Sequence, residues 1–324
     1  MMKSLMPHPV VAAVALCAMA LAPVSFSSAA DVVVIDAQAM APLVAPDAVV
    51  KKLAGGMKFI EGPVWIGSDN DGQLIFSDIP ADELKAWSQT AGLTVFRTPS
   101  RNANGNTLDL QGQLITAEHS GRRLSRTAAD GTLSTVVDQA DGKKFNSPND
   151  VVVKSDGTFW FTDPPYGLPR DQPKEQSGNF VFRYDPESNQ TTIVSREHDM
   201  PNGLAFSPDE KLLYVADSGK PRALRVYDVN ADGTLSPGRP FCTIDQGGPD
   251  GIRVDAHGHV WSSAGDGVQI FSVSGKLIGR ILCPEGPANL AFGGKEGQTL
   301  FMTSRTGLYS VPVLTGPAAR PAAR

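Results

Sequence analysis

Beyond about residue 50, apolar positions come in short runs rich in Val, Ile, Phe, Tyr and Trp, broken by Gly, Pro, Asn and Asp. Few stretches keep the spacing of an amphipathic helix, and runs of this kind predict β-hairpins. Six segments repeat one order: a polar residue, a nearby Gly or Pro, a short apolar strand, a polar or Gly-containing turn, and a second apolar strand. They are Glu61 in EGPVWIGSDNDGQLIFSDI, Asn104 in ANGNTLDLQGQLITAEH, Asn149 in PNDVVVKSDGTFWFTDP, Asn202 in PNGLAFSPDEKLLYVADS, Asp250 in PDGIRVDAHGHVWSSAG and Asn289 in ANLAFGGKEGQTLFMTS. The lead residues lie 39 to 53 positions apart, and a four-stranded propeller blade needs about 40–50 residues. The prediction is an all-β, six-bladed β-propeller.

Details of the pattern agree. The strand after each lead residue is often apolar on both faces, as expected of a strand buried between neighbouring blades. Asp71-Gly72, Gln111-Gly112, Asp156-Gly157 and His257-Gly258 are placed to close hairpins, since Gly adopts positive φ without steric cost. SDNDG at Ser68 lacks the spacing and terminal Glu of an EF-hand loop and reads as one of these turns. A β-sandwich would not generate six equivalents with a polar residue at the same place, and a solenoid would need terminal caps that are not visible. The Pro- and charge-rich stretch 164–177 falls in the longest interval and reads as a loop insertion. Trp65, Trp160 and Trp261 recur at strand positions and are expected to pack blades together.

The first thirty residues have the layout of a secretory signal: one charge at Lys3, an apolar run from Val10 to Ala22, and Ser28-Ala29-Ala30 as a cleavage site. The expected organisation is a signal peptide over 1–30, an N-terminal extension over 31–50, the propeller over 51–314 and a flexible C-terminal tail over 315–324. Export to the periplasm or beyond follows, with no membrane association after cleavage. The formal net charge of −5 comes without basic runs, which argues against nucleic acid or an anionic membrane as partner. Cys242 and Cys283 remain after cleavage; export permits a disulfide, and two free thiols fit equally well. The oligomeric state is not legible.

In a propeller the start of every innermost strand points to one central spot. Glu61, Asn104, Asn149, Asn202, Asp250 and Asn289 therefore converge, all oxygen donors and two of them carboxylates. Asn and Asp before Gly are ordinary turn residues, but Glu61 is not a turn former, and six aligned positions exceed what turns require. Hard oxygen donors suit one divalent metal ion, calcium before Mg2+, Mn2+ or Zn2+. From the repeat alone, all six lead residues are candidate donors, with the two carboxylates formally cancelling a dication. Without a cation the two carboxylates would repel each other and at least one would titrate high.

At these residues the chain resembles the senescence marker protein/gluconolactonase family, which also includes a calcium-dependent diisopropyl-fluorophosphatase. IEGPVW, FNSPNDVVVKSDGTFWFTDPPYG, PNGLAFSPDEKLLYVAD and GPDGIRVDAHGHVW match its patterns in order, over about residues 55 to 310. ANGNTLD with Glu118-His119 is similar to secreted bacterial gluconolactonase-like members. The resemblance implies a six-bladed propeller with a catalytic divalent cation, usually calcium. It puts the metal carboxylates on Glu61 and Asp250 and the amide ligand on Asn202. Asn149 matches an asparagine that binds metal in some members and substrate in others; Asn104 and Asn289 match channel-lining positions. The chain departs from the animal members at Ser147, where they carry Arg, and from the fluorophosphatase at Thr303, Ser304 and Arg305, where it has a histidine near the site.

The expected activity is metal-assisted hydrolysis of a sugar-type lactone. Asp250, with Glu61 as the alternative, acts as or orients the general base, and Asn149 and Asn202 fix the substrate's oxygens. There is no G-x-S-x-G for serine chemistry and no H-E-x-x-H. His119 is expected either to be hydrogen-bonded within its blade or, with Asn104 and Asn289, to contact substrate. Tyr166 and Arg170 belong to a lid or to an ordinary surface loop. The rivals are a non-catalytic propeller that binds a ligand or protein and a phosphotriesterase-like hydrolase.

Overall fold

The computed structural model describes residues 31–67, 71–169 and 171–319. The expected signal peptide, part of the turn at Ser68, Arg170 and the end of the C-terminal tail lie outside the described residues. What is described is nearly all β: six antiparallel blades built on four strands each, with one α-helical turn, Ala37–Met40, capped by the Asp36 side chain, and two short 3-10 turns at Ile79–Ala81 and Lys295–Gly297. Among the described residues no helix is long and apolar enough to cross a membrane.

From the axis outward, blade 1 holds Ile60–Ile66, Gln73–Asp78, Glu83–Ser88 and Gly92–Arg97. Blade 2 holds Ala103–Leu108, Leu114–Glu118, Arg123–Thr127 and Leu133–Val137. Blades 3 and 4 begin at Val151–Val153 and Pro201–Phe206 and end at Gln190–Ser195 and Arg239–Thr243. Blade 5 runs from Ile252–Val254 to Leu277–Leu282, and Val32–Val34 adds a fifth strand to its outer edge. Blade 6 takes three strands from Asn289–Gly293 through Gly307–Pro312 and its outermost from Lys51–Ala54. Pairing an early strand with the last strands in one sheet closes the ring, and each blade keeps only a short outer edge.

The apolar-on-both-faces pattern is explained by packing. One apolar cluster fills each of the six interfaces between blades. Alternation sends successive residues of one strand to opposite neighbours: Phe159 and Phe161 pack toward blade 2, whereas Trp160 packs toward blade 4. Leu213 and Val215 face blade 3 while Tyr214 and Ala216 face blade 5. The tryptophans sit at these seams, Trp65 stacked on Phe301 and Trp160 and Trp261 edge-on to Phe206 and Phe292. Removing a fully buried ring such as Trp160 costs about 3–5 kcal/mol in lost transfer and cavity energy.

The flanking segments are part of this packing. Leu43 and Val44 of the extension are buried against blades 5 and 6. Part of the expected tail is held as well: Ala256 N–H donates to Gly316 O, and Ala318 N–H to Val254 O. Cys242 and Cys283 are both free thiols.

Candidate active site

The lead residues of neighbouring blades meet because the innermost strands touch backbone to backbone. Gly105 N–H donates to Asn149 O, Gly203 N–H to Asp250 O and Gly251 N–H to Ala288 O, each reaching the next blade. A Cβ at Gly105 would stand 2.7 Å from Asn149 O, and one at Gly203 would stand 2.4 Å from Asp250 O. Close approach is therefore what the Gly after a lead residue provides. It draws the leads into one ring around the axis.

Above that ring opens a cavity of about 670 Å³, lined by Glu61, Asn104, His119, Asn149, Asn202 and Asp250, with Phe59, Tyr166 and Ser218 on its walls. Glu61, Asn104, Asn149 and Asn202 are buried, and Asp250 keeps part of its surface on the cavity. Five of the six leads thus share it. Asn289 lies beneath: its Oδ1 accepts from Leu290 N–H at 2.8 Å, and its amide turns to the carboxyls of Glu61 and Asp150.

Charge is concentrated here. The Asp250 carboxyl is in hydrogen-bonding contact with Glu61 and with the Asn202 amide. Burial is the main cause that pushes Asp250 well above the usual carboxylate range, and Glu61 and then Asp150 add repulsion. Burial also lifts Glu61 to about 7, opposed by the Gly62 N–H at 2.8 Å and the Asn289 amide. Asp150, raised by burial as well, faces Arg253 from below, Nη1 to Oδ2 at 3.6 Å. Ionised, these three acids and Arg253 sum to two negative charges, the balance of one divalent cation.

The amides are arranged to match. Asn202 Nδ2 donates to Ser218 Oγ at 2.9 Å, and Ser218 Oγ donates to Pro249 O at 2.6 Å. The Asn202 nitrogen is thereby committed, and its Oδ1 is left for the cavity. Among the described residues no group hydrogen-bonds the Asn149 side chain, which leaves its oxygen free as well. Among the described residues there is also no cluster of three His, Cys, Asp or Glu side chains placed to hold a metal. A cation at this ring would be held by two carboxylates and amide oxygens, a donor set for a hard ion.

His119 is both blade-bound and at the cavity wall. Its Nε2 lies 3.2 Å from Asn104 Nδ2, and burial pulls its pKa down to about 4, so the ring is neutral and accepts that hydrogen bond. Tyr166 stands in the inserted loop with its hydroxyl against Ser218 and Asn202. Ser147 fixes this loop, donating to Pro164 O at 2.6 Å and accepting from Gly167 N–H at 3.0 Å. Sequence reasoning did not find Ser218 or the clamp by Ser147, because neither is a lead residue. Their only signal is the short polar ending of a strand or loop.

Over most of its length the chain is similar to known proteins. Residues 59–306 match the SMP-30/gluconolactonase/LRE-like region. A gluconolactonase of Zymomonas mobilis is 34% identical over 294 residues, covering 82% of each chain. The solved structure of a gluconolactonase from Xanthomonas campestris superposes with a TM-score of 0.82 at 32% identity, over 89% of this chain and 96% of that one. A calcium-binding regucalcin of Agrobacterium tumefaciens shares the fold, with a TM-score of 0.71 at 20% identity over 86% of this chain and 98% of its own.

Proposed function

The chain belongs to the SMP-30/gluconolactonase/LRE-like family, and from that premise we propose that it is a hydrolase of sugar-type lactones whose site works with a bound divalent cation. The observation that carries the reading is the pair of enclosed carboxyls, Glu61 and Asp250, in contact at the floor of an open polar cavity. Such a pair is costly to bury unless a positive charge or a reaction uses it.

Glu61, Asn149, Asn202 and Asp250 would hold the cation. Calcium suits their oxygen-only, irregular donor set best. When bound, the cation supplies a positive charge that polarises the lactone carbonyl and stabilises the negative charge developing on its oxygen. Asp250, which keeps a face on the cavity, accepts a proton from water as that water attacks the carbonyl carbon. The ring C–O bond then breaks, and the proton passes to the departing oxygen to give the open hydroxy acid. Asn149 and Asn104 offer hydrogen bonds to the substrate's oxygens. The neutral His119 holds the Asn104 amide in place. Asn289 supports Glu61 from beneath rather than meeting substrate.

The test is a pH-indicator assay of lactone opening on gluconolactone and a panel of related lactones, with and without chelator, alongside a phosphotriester. A chelator-sensitive rate above spontaneous opening supports the proposal. Absence of any rate across the panel would return the ring to a ligand-binding role, and turnover of the phosphotriester alone would shift the substrate class. We also infer export through the leader at 1–30; a cell fractionation that finds the full-length chain in the cytoplasm would reject it.

A further inference from the structure

Three of the six second strands end on aspartate: Gln73–Asp78, Phe159–Asp163 and Leu212–Asp217. Each of these carboxylates is buried and turns back to the segment that leads into the innermost strand of its own blade. Asp78 accepts from Lys58 N–H and Phe59 N–H, with all three contacts at 3.2 Å. Asp163 accepts from Asn146 N–H at 2.7 Å and Ser147 N–H at 2.8 Å. Asp217 accepts from Asp199 N–H and Met200 N–H, both at 2.9 Å.

The offset is the same each time. The two amides stand three and two residues before Glu61, Asn149 and Asn202, which are three of the four residues assigned to the cation. The remaining second strands end on Glu118, Ala264 and Ser304. Glu118 is taken up by Arg97, Arg123 and Ser125 instead. Asp250, the fourth ligand, has its own N–H tied to Ser263 Oγ. A requirement common to all blades would put the carboxylate in all six. The segment before Asn104 is held differently, by Asp82 of the preceding blade, whose Oδ1 accepts from Ser100 N–H at 3.1 Å and Asn102 N–H at 2.8 Å. The aspartate at the end of the blade's own second strand is confined to the blades of Glu61, Asn149 and Asn202.

We propose that Asp78, Asp163 and Asp217 are positioning residues that lock the loops carrying Glu61, Asn149 and Asn202, and so set the affinity of the site for its cation. The inference rests on the metal reading given above. A carboxylate that accepts two backbone N–H groups makes charge-assisted bonds at fixed geometry. Groups that hydrogen-bond a ligating side chain directly are each worth about 10- to 100-fold in metal affinity, and a clamp on the backbone that carries the ligand is expected at the lower end of that range.

The experiment compares Asp217→Asn with Asp255→Asn in the full chain. Asp255 is buried too, and it accepts from His257 N–H, His259 N–H and Trp261 Nε1–H in a hairpin away from the cavity. Calcium affinity is read by calorimetry, backbone protection over 199–202 by hydrogen exchange, and stability by thermal melting. Both variants should melt lower. Asp217→Asn alone should weaken calcium by about 10-fold and speed exchange over 199–202 by about 10-fold. Unchanged protection and affinity in Asp217→Asn would overturn the inference, as would an equal loss of affinity in Asp255→Asn. If Asp217→Asn does not fold, Asp163→Asn reports in the same way on residues 146–149. If the unaltered protein takes up no divalent cation, the metal reading fails, and the exchange measurement by itself decides whether the loops are clamped.

Discussion

Placing a methyl group at Gly203 tests whether the close approach of inner strands builds the site. The added Cβ would stand 2.4 Å from Asp250 O, 2.7 Å from Ile252 N and 2.9 Å from Gly251 Cα. All three are backbone atoms, so no side-chain rotation can relieve the contact. Blade 4 must move away from blade 5, and the bond from Gly203 N–H to Asp250 O at 3.0 Å is lost. Overpacking of this kind costs about 1–3 kcal/mol, and the broken hydrogen bond adds about 1 kcal/mol. A total of about 2–4 kcal/mol lowers the melting temperature by about 4–8 °C in a domain of this size. Asp250 and Asn202 flank the displaced contact, so lactone turnover should fall much further than the change in folded fraction explains. Gly112→Ala is the control: it lies at φ +74° with nothing within 4 Å, so it carries backbone strain without the clash and should keep its activity. Thermal melting and initial rates decide the matter. A Gly203→Ala protein that melts within 1–2 °C of the parent and turns over at the parent rate would refute the reasoning.

Asp250→Asn keeps the shape of the side chain but removes the base; turnover should drop by about 100- to 10,000-fold, and near-full activity in saturating calcium would reject the assignment. Ser218→Ala frees the Asn202 amide to rotate. The loss of one neutral hydrogen bond should weaken calcium by about 2- to 10-fold, measurable by calorimetry. His198 makes stability depend on pH. Burial, only partly offset by Asp217 and Glu197, pulls its pKa down to about 4, and its ring meets the Tyr227 hydroxyl at 3.2 Å. The unfolded chain then takes up the proton first, so stability is full above about pH 6.5, declines as pH falls toward 4 and levels off below, by up to about 3 kcal/mol. Urea titrations at pH 7 and pH 4.5 should show that His198→Gln loses less stability between them than the parent does.

The repeat in the chain was enough to specify the architecture. Six equivalents of a polar lead, an apolar strand and a turn specify six blades, because alternation at period 2 with both faces apolar can be satisfied only between neighbouring sheets. It also determined which residue in each blade points at the axis, since that depends on position within a repeat. The tertiary structure decided which of those six share the cavity. Asn289 is followed by Leu290, whose N–H takes up the amide oxygen, and the side chain ends below the ring with Glu61 and Asp150. Tertiary contacts also decided that Val32–Val34 joins blade 5, that Lys51–Ala54 closes blade 6, and that Ser218 turns the Asn202 oxygen to the site. The last three, unlike the bond between Asn289 and its neighbour Leu290, have no local signal. Each is a hydrogen bond between residues distant in the chain, and its partners become neighbours only when the ring has closed.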